Sequence, residues 1–301
     1  MAKTEILTKP ATASPAIATA SSSPLRKALR RFRRHRLAMV GVVIIVVLVI
    51  AALLGSESAA LTANLKNTNK PPSLEHLFGT DRTGRDVLAR TLVGGRVSLS
   101  VGLVSVIFST LIGTTLGALA GYRRGWVDAI IMRVVDMVMS FPVIVLLLAV
   151  VAIVGPGIFK IMIMIGLLTW TTPCRIVRAQ FLSLREKEYV EAARTIGMTD
   201  FDVALKHILP NALAPLLVYA SFGVATAVLL EAGLSYLGLG VQPPTPSWGN
   251  MLNTARSIST MERTAWQWIP PAITTVMFVL AVNFVGDGIR DAIDPRALFE
   301  K

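Results

Sequence analysis

Six stretches of this 301-residue chain run for about twenty residues with scarcely a charge, and they restrict its fold before any motif is considered. A bilayer hydrocarbon core about 30 Å thick is crossed by roughly 20 helical residues rising 1.5 Å each, and within it every backbone N–H and C=O must be paired inside its own segment. The stretches are therefore read as membrane-spanning helices at 37–54, 97–120, around 137–154 with a start early enough to include Asp136, 158–178, 207–231 and 263–287. The fourth is the weakest, because Lys160 and Arg175 lie in it and must reach the interfaces along their apolar stems. A further uncharged run, 232–255, carries Pro243, Pro244 and Pro246 with Gly, Ser and Asn, and reads as a loop.

Composition agrees. Hydrophobic residues make up 53% of the chain, charged residues only 16%, and mean hydropathy is +0.62, outside the range of an ordinary soluble domain. The fold class expected is an all-α membrane protein with six transmembrane helices. Excluding Lys3 and Lys9, one side of such a protein holds 19 Lys and Arg and the other 9, which puts both termini and the segment around Glu191 in the cytoplasm. The net charge of +12 is then explained without nucleic acid: the basic segment 25–36 abuts the first span, where cations attract anionic headgroups and hold topology.

The remaining organisation follows. Residues 1–24, rich in Ala, Ser, Thr and Pro, are expected to be a disordered cytoplasmic tail, with no cleaved signal peptide. Residues 55–96 form an external loop, 97–290 a transmembrane core, and 291–301 a cytoplasmic C-terminus. Within the external loop, Thr83 and Asp86 resemble a capping box, Asp86 and Arg90 are spaced as an i,i+4 pair, and Val87, Leu88 and Leu92 share a face. A short amphipathic helix lying before the second span is expected. Arg133 and Asp136, three apart, are expected to neutralise one another.

No catalytic or metal-binding constellation emerges. The one cysteine, Cys174, excludes an intrachain disulfide, and His35, His76 and His207 fall in three separate segments. Gly79 to Asp86 copies the glycine spacing of a phosphate-binding loop, but Arg85 and Asp86 stand where Lys and Ser/Thr belong, and a carboxylate there repels phosphate. ATP is therefore not expected to bind this chain.

Polar residues are concentrated in the cytoplasmic loop 179–210. A helix over about 185–196 is expected to stop at Gly197, which takes a left-handed conformation readily, and Thr199 with Asp202 caps a second helix leading to Pro210. Ala192 and Ala193 are small enough for another backbone to approach, and Glu191 offers a carboxylate across an interface. On spacing alone, a docking surface and a solvated surface helix both fit.

Glu191, Ala192, Ala193, Gly197, Leu209 and Pro210 match in order the Glu-Ala-Ala loop of ABC importer permeases, with His207 standing where the pattern has Ile. Three further stretches, 77–86, 238–252 and 286–295, resemble the second permease subunit of the dipeptide, oligopeptide and nickel importers; together the resemblance covers about 25–296. It implies a type I importer permease fold in a bacterial inner membrane, a second homologous permease, two subunits that bind ATP and Mg, and an external substrate-binding protein. It also implies that Glu191, Ala192, Ala193, Arg194, Gly197, Asp200, Leu209 and Pro210 form the ATPase-coupling loop. The external loop 236–263 is implied to lie near the binding protein, with Gln242, Pro243, Pro244 and Trp248 at that contact, at the pathway mouth, or as a lid over helix ends. Ser140, Ser221, Thr226 and Asn283 are candidates for the pathway. Glu231 either faces it, attracting a peptide's amino terminus, or reaches water or a neighbouring subunit. Peptides are the first expected cargo; nickel chelates, glutathione, haem and oligosaccharides are alternatives. A secondary transporter is the competing class, and it leaves the polar loop unexplained.

Overall fold

The computed structural model describes residues 24–293. The expected tail and the last residues of the C-terminal motif lie outside this range. Among the described residues there are helices and no strands, only an isolated bridge between Thr80 and Asp86. Five helical segments are long and apolar enough to cross a membrane, and a bent pair makes a sixth.

A basic helix, α1 (Pro24–Arg34), turns at His35 into α2 (Arg36–Leu54), the first span. His35 makes the turn by capping α2, its Nδ1 accepting from Ala38 N–H at 3.1 Å, while its Nε2 lies 3.4 Å from Asp291. At the other end of α2 the carbonyls of Ala52, Leu53 and Gly55 all accept from the guanidinium of Arg96, a cation placed where helix carbonyls lack partners.

After the short α3 (Glu57–Leu61), the loop that leads to the second span is organised around Asp81. Its Oδ1 accepts from the N–H and hydroxyl of Thr83 and the N–H of Arg85, its Oδ2 accepts from Arg85 Nε at 2.8 Å, and Arg90 Nε lies 3.5 Å from Oδ2. This carboxylate folds the stretch whose glycine spacing imitates a phosphate loop.

The separate amphipathic helix expected here does not form. Val87 to Arg123 is one helix, α4, of 37 residues, and at 1.5 Å per residue it spans about 55 Å, enough to cross the bilayer and project beyond it. Asp86 rather than Thr83 caps it, accepting from Ala89 N–H at 2.8 Å. Asp86 pairs with His76 at 2.9 Å rather than with Arg90, which turns instead to Asp81 and to the carbonyls of Ala60 and Pro244. A helix extended by the ten residues 87–96 can bury Val87, Ala89 and Val93, which a surface helix would leave half exposed.

The third span also differs from expectation. α5 (Gly125–Met139) and α6 (Val143–Val154) meet at 85°, broken at Ser140 to Pro142. Pro142 has no N–H for a helical bond, and the residue before a proline is pushed out of the helical region. α7 (Ile158–Thr169) and α8 (Thr171–Leu184) join as the fourth span. Asp136 is paired across helices with Arg175 of α8, not with Arg133, and Asp128 takes both Nε and Nη2 of Arg178. Lys160 ends on the Val154 carbonyl at 2.8 Å.

α4 lies against most of the other spans, and glycines let it approach α8. A Cβ on Gly113 would fall 2.8 Å from the Trp170 carbonyl oxygen, on Gly117 2.4 Å from that of Cys174, and on Gly121 2.8 Å from that of Arg178. Both helices advance by four residues in the same sense, so α4 and α8 run parallel with their backbones in contact. The last span, α14 (Ile269–Ile293), follows the short α13 (Ile258–Arg263) and packs against α2 and the fifth span, α11 (Leu209–Tyr236).

Candidate functional site

The polar loop 179–210 is built as a braced platform. α9 (Glu188–Thr195) ends at Gly197, whose φ of +88° is the left-handed value, and the Gly197 and Met198 N–H groups donate to the carbonyls of Arg194 and Ala193. This pair of bonds is the Schellman termination expected from the sequence. Thr199 then caps α10 (Asp200–Val203), accepting from Asp202 N–H at 3.2 Å.

α10 is not a separate helix before a turn. A π turn, Ala204–Ile208, carries it into α11 (Leu209–Tyr236), so that one helical rod runs from the loop through the fifth span. Pro210 sits in the first turn of α11, after the π turn. A proline lacks the N–H for the regular bond and clashes with the carbonyl four residues back, and a wider turn relieves both. Pro210 therefore does not end the rod.

Val190, Ala193, Val203 and Ile208 are buried together with Val177 and Phe181 of α8 and with Ala212 and Leu216 of α11. The two alanines of the motif consequently have different environments: Ala192 is exposed, whereas Ala193 is packed inside the subunit and is not open to a partner. Glu191, Gly197, Asp200 and Pro210 are exposed, and Arg194 and Leu209 are half-buried. Asp200, although exposed, is bonded within its own subunit, accepting from Tyr122 at 2.5 Å with Arg194 Nε 4.0 Å away. Around Glu191 the platform exposes large apolar side chains that motif reading passed over: Ile196 at 80%, Phe201 at 72%, and also Tyr189 and Leu205.

On the opposite side of the protein, the Pro-rich loop returns as a hairpin onto α4 and α11. Its tip, with Gln242, Pro243 and Pro244, is exposed, and the Pro243-Pro244 peptide bond is cis. Trp248 opens the short α12 (Trp248–Leu252) and is buried, with its indole N–H on the Thr91 carbonyl at 3.0 Å and its ring 5.8 Å from that of Phe278. It anchors the hairpin in the bundle, which corrects its placement at an external contact.

Glu231 is also corrected. Its residue exposure is 0%, and it reaches neither water nor the pathway. Ser98, Ser235 and Ser247 donate their hydroxyls to it at 3.0, 2.6 and 2.8 Å. The three serine oxygens in turn accept the backbone N–H groups of Trp248, Val241 and Asn250. With every hydroxyl proton directed at the carboxylate, Glu231 joins α4, α11 and the hairpin into one unit.

A cavity of about 340 Å³ opens beside the α5–α6 elbow. Ser109 of α4, Phe141, Thr172, Tyr219 and Thr226 contribute to its wall, which carries no charged side chain. Of the residues expected along a pathway, Thr226 is therefore on this wall and Ser140 is next to it at the elbow. Ser221, bonded to the Val218 carbonyl, and Asn283, half-buried on α14, are not.

Comparison with known proteins gives this architecture a family. The profile of the binding-protein-dependent transport system inner membrane component matches residues 113–298, and that of the N-terminal TM domain of oligopeptide transport permease C matches residues 23–72. A peptide permease protein of Brucella suis biovar 1 is 47% identical over 92% of this chain and 93% of its own. The dipeptide transport system permease protein DppC of Alkalihalophilus pseudofirmus is 41% identical over 91% and 90%, and the glutathione transport system permease protein GsiD of Escherichia coli O6:K15:H31 is 40% identical over 91% of each. The inward-facing MetNI methionine ABC transporter shares the fold, with a TM-score of 0.54 and 21% identity over 68% of this chain and 96% of that one. The chain belongs to the binding-protein-dependent transport inner membrane components and is a multi-pass permease subunit of a peptide-type ABC importer.

Proposed function

We propose that this permease forms half of a translocation pathway for short peptides, with a second, homologous permease forming the other half. Two separate subunits bind ATP and Mg and dock on α9 and α10, and an external binding protein delivers cargo. The observation that carries this reading is the platform itself: Ile196 and Phe201 are exposed beside Glu191 while Val190, Ala193, Val203 and Ile208 lock the same two helices onto the bundle. Exposed large apolar residues on a rigid base are what a protein partner needs, and a solvated surface helix does not require them. The excess of basic residues on the same side supports a cytoplasmic position for the platform and both termini.

Closure of the ATP-binding pair would displace the platform, and the continuous helix from Asp200 to Tyr236 would carry that displacement into the membrane as a rigid-body motion. The names of the relatives support peptide cargo, glutathione included. A cavity wall without charged side chains fits a passage that offers apolar and hydroxyl contacts, leaving selection by charge to the binding protein.

Replacing both Ile196 and Phe201 with Asp tests the reading. Membrane insertion should be kept while co-purification of the ATP-binding subunits and peptide import are lost; retention of both by the variant would overturn it.

A further inference from the structure

Sequence motifs directed attention to the platform and to Pro210 as its link to the membrane. The structure contains a second link, at Tyr122 in the last turn of α4. Its backbone carbonyl accepts from Arg185 Nη1 at 3.0 Å, and its hydroxyl donates to Asp200 Oδ1 at 2.5 Å. Arg185 stands where the chain leaves α8 for the platform, and Asp200 is the first residue of α10. One residue of α4 thus holds both the entry to the platform and the start of its second helix. Next to it, Arg124 pairs with Glu186 at 2.7 Å.

The end of α4 is not free to absorb a pull locally. Gly121 lies against Phe181 and the Arg178 backbone, and the four-residue series of close approaches fixes α4 to α8 as far as Gly113. One turn further along α4, Ser109 lies on the cavity wall. A displacement of α10 is therefore delivered to the wall along α4 as well as along α11.

We propose that Tyr122 is a positioning residue for alternating access, transmitting platform movement to α4 through its hydrogen bond to Asp200. This rests on the platform being the site where the ATP-binding subunits act. It gives the subunit two levers from one docking site, acting on the two helices, α4 and α11, that contribute Ser109 and Tyr219 to the cavity wall.

The test uses the whole importer, reconstituted in proteoliposomes with its ATP-binding subunits and binding protein. Tyr122→Phe keeps the ring and removes the donor. Since the bond removed has a charged acceptor but is open to solvent, peptide imported per ATP hydrolysed should fall by about two- to fivefold, with assembly and basal ATP hydrolysis unchanged. Asp200→Asn should lower the same ratio, and the double variant should be no worse than the poorer single one, because both remove one interaction. A thiol introduced at Ser109 should change its labelling rate on ATP addition in the parent and lose that response with Tyr122→Phe.

An unchanged import ratio, additive losses, or a preserved labelling response would overturn the proposal. Loss of the ATP-binding subunits from Tyr122→Phe would also overturn it, since the residue would then act in assembly. Failure of the docking reading itself is recognised separately, by ATP-binding subunits that stay bound to the Ile196→Asp, Phe201→Asp variant.

Discussion

Ser247 Oγ donates to Glu231 Oε1 at 2.8 Å and at the same time accepts the N–H of Asn250, so a carboxylate in the fifth span sets the first turn of α12 in the Pro-rich hairpin. Ser235 and Ser98 repeat the arrangement with Val241 and Trp248. Replacing Glu231 with Leu keeps most of the volume and leaves three buried hydroxyls without their acceptor. At about 1–3 kcal/mol for each orphaned buried group, the loss is large against ordinary domain stability. The expected outcome is early thermal unfolding in detergent and protease cleavage within 237–247. Glu231→Gln should be intermediate, because its carbonyl oxygen still accepts but its amide adds donors where donors already converge.

The α4–α8 seam makes a steric prediction. Gly117→Val places a branched side chain where even a Cβ would be 2.4 Å from the Cys174 carbonyl oxygen. Neither backbone can retreat, since Gly113 and Gly121 hold the same helices together on each side. The variant should insert poorly or unfold early, and a thiol reagent should reach the otherwise buried Cys174. An equally well-folded Gly117→Val protein would show that the helices are not in contact there.

Gly197 fails differently. A Cβ there meets nothing within 4 Å, but φ is +88°. Gly197→Ala should cost about 1–2 kcal/mol through backbone strain alone, and Gly197→Asn less, as Asn tolerates the left-handed region. Limited proteolysis of the platform, ranked Gly, Asn, Ala from most to least resistant, checks it.

Asp81 gives the loop before α4 a pH dependence. Burial pushes its carboxyl up, but the N–H of Arg85, the hydroxyl and N–H of Thr83 and the Arg85 charge outweigh that, and the net effect holds it below its ordinary value of 3.8. A carboxyl depressed in the folded state stabilises fully above the unfolded value and loses that contribution as pH falls below 3.8 through the folded one. Hydrogen-exchange protection in 62–86, taken relative to the unstructured rate at the same pH, should therefore be high at pH 6 and fall as the pH drops below 3.8, and Asp81→Asn should be less protected at pH 6 and flatten the response.

The spans were legible in the sequence because crossing a bilayer demands an apolar run of a particular length, and the platform because its signals at Gly197 and Thr199 act within three or four residues. The α5–α6 elbow was hidden by the apolar run that surrounds Pro142. The series Gly113, Gly117, Gly121 was readable in principle as a small-residue stripe, but which helix it met was not. Glu231 was misread because its partners Ser98 and Ser247 come from other segments, and a polar residue in a span looks functional until its donors are known. Tyr122 had no local signal at all, being defined by Arg185 and Asp200, which are far from it in sequence.

Docking of the ATP-binding subunits at the platform is tested most directly by a photo-reactive side chain placed at Phe201, and in a parallel sample at Gln242, within the intact importer. An adduct is expected between position 201 and an ATP-binding subunit, and none from position 242. Absence of the first adduct in an assembled, transporting complex, or its appearance only from position 242, would contradict it.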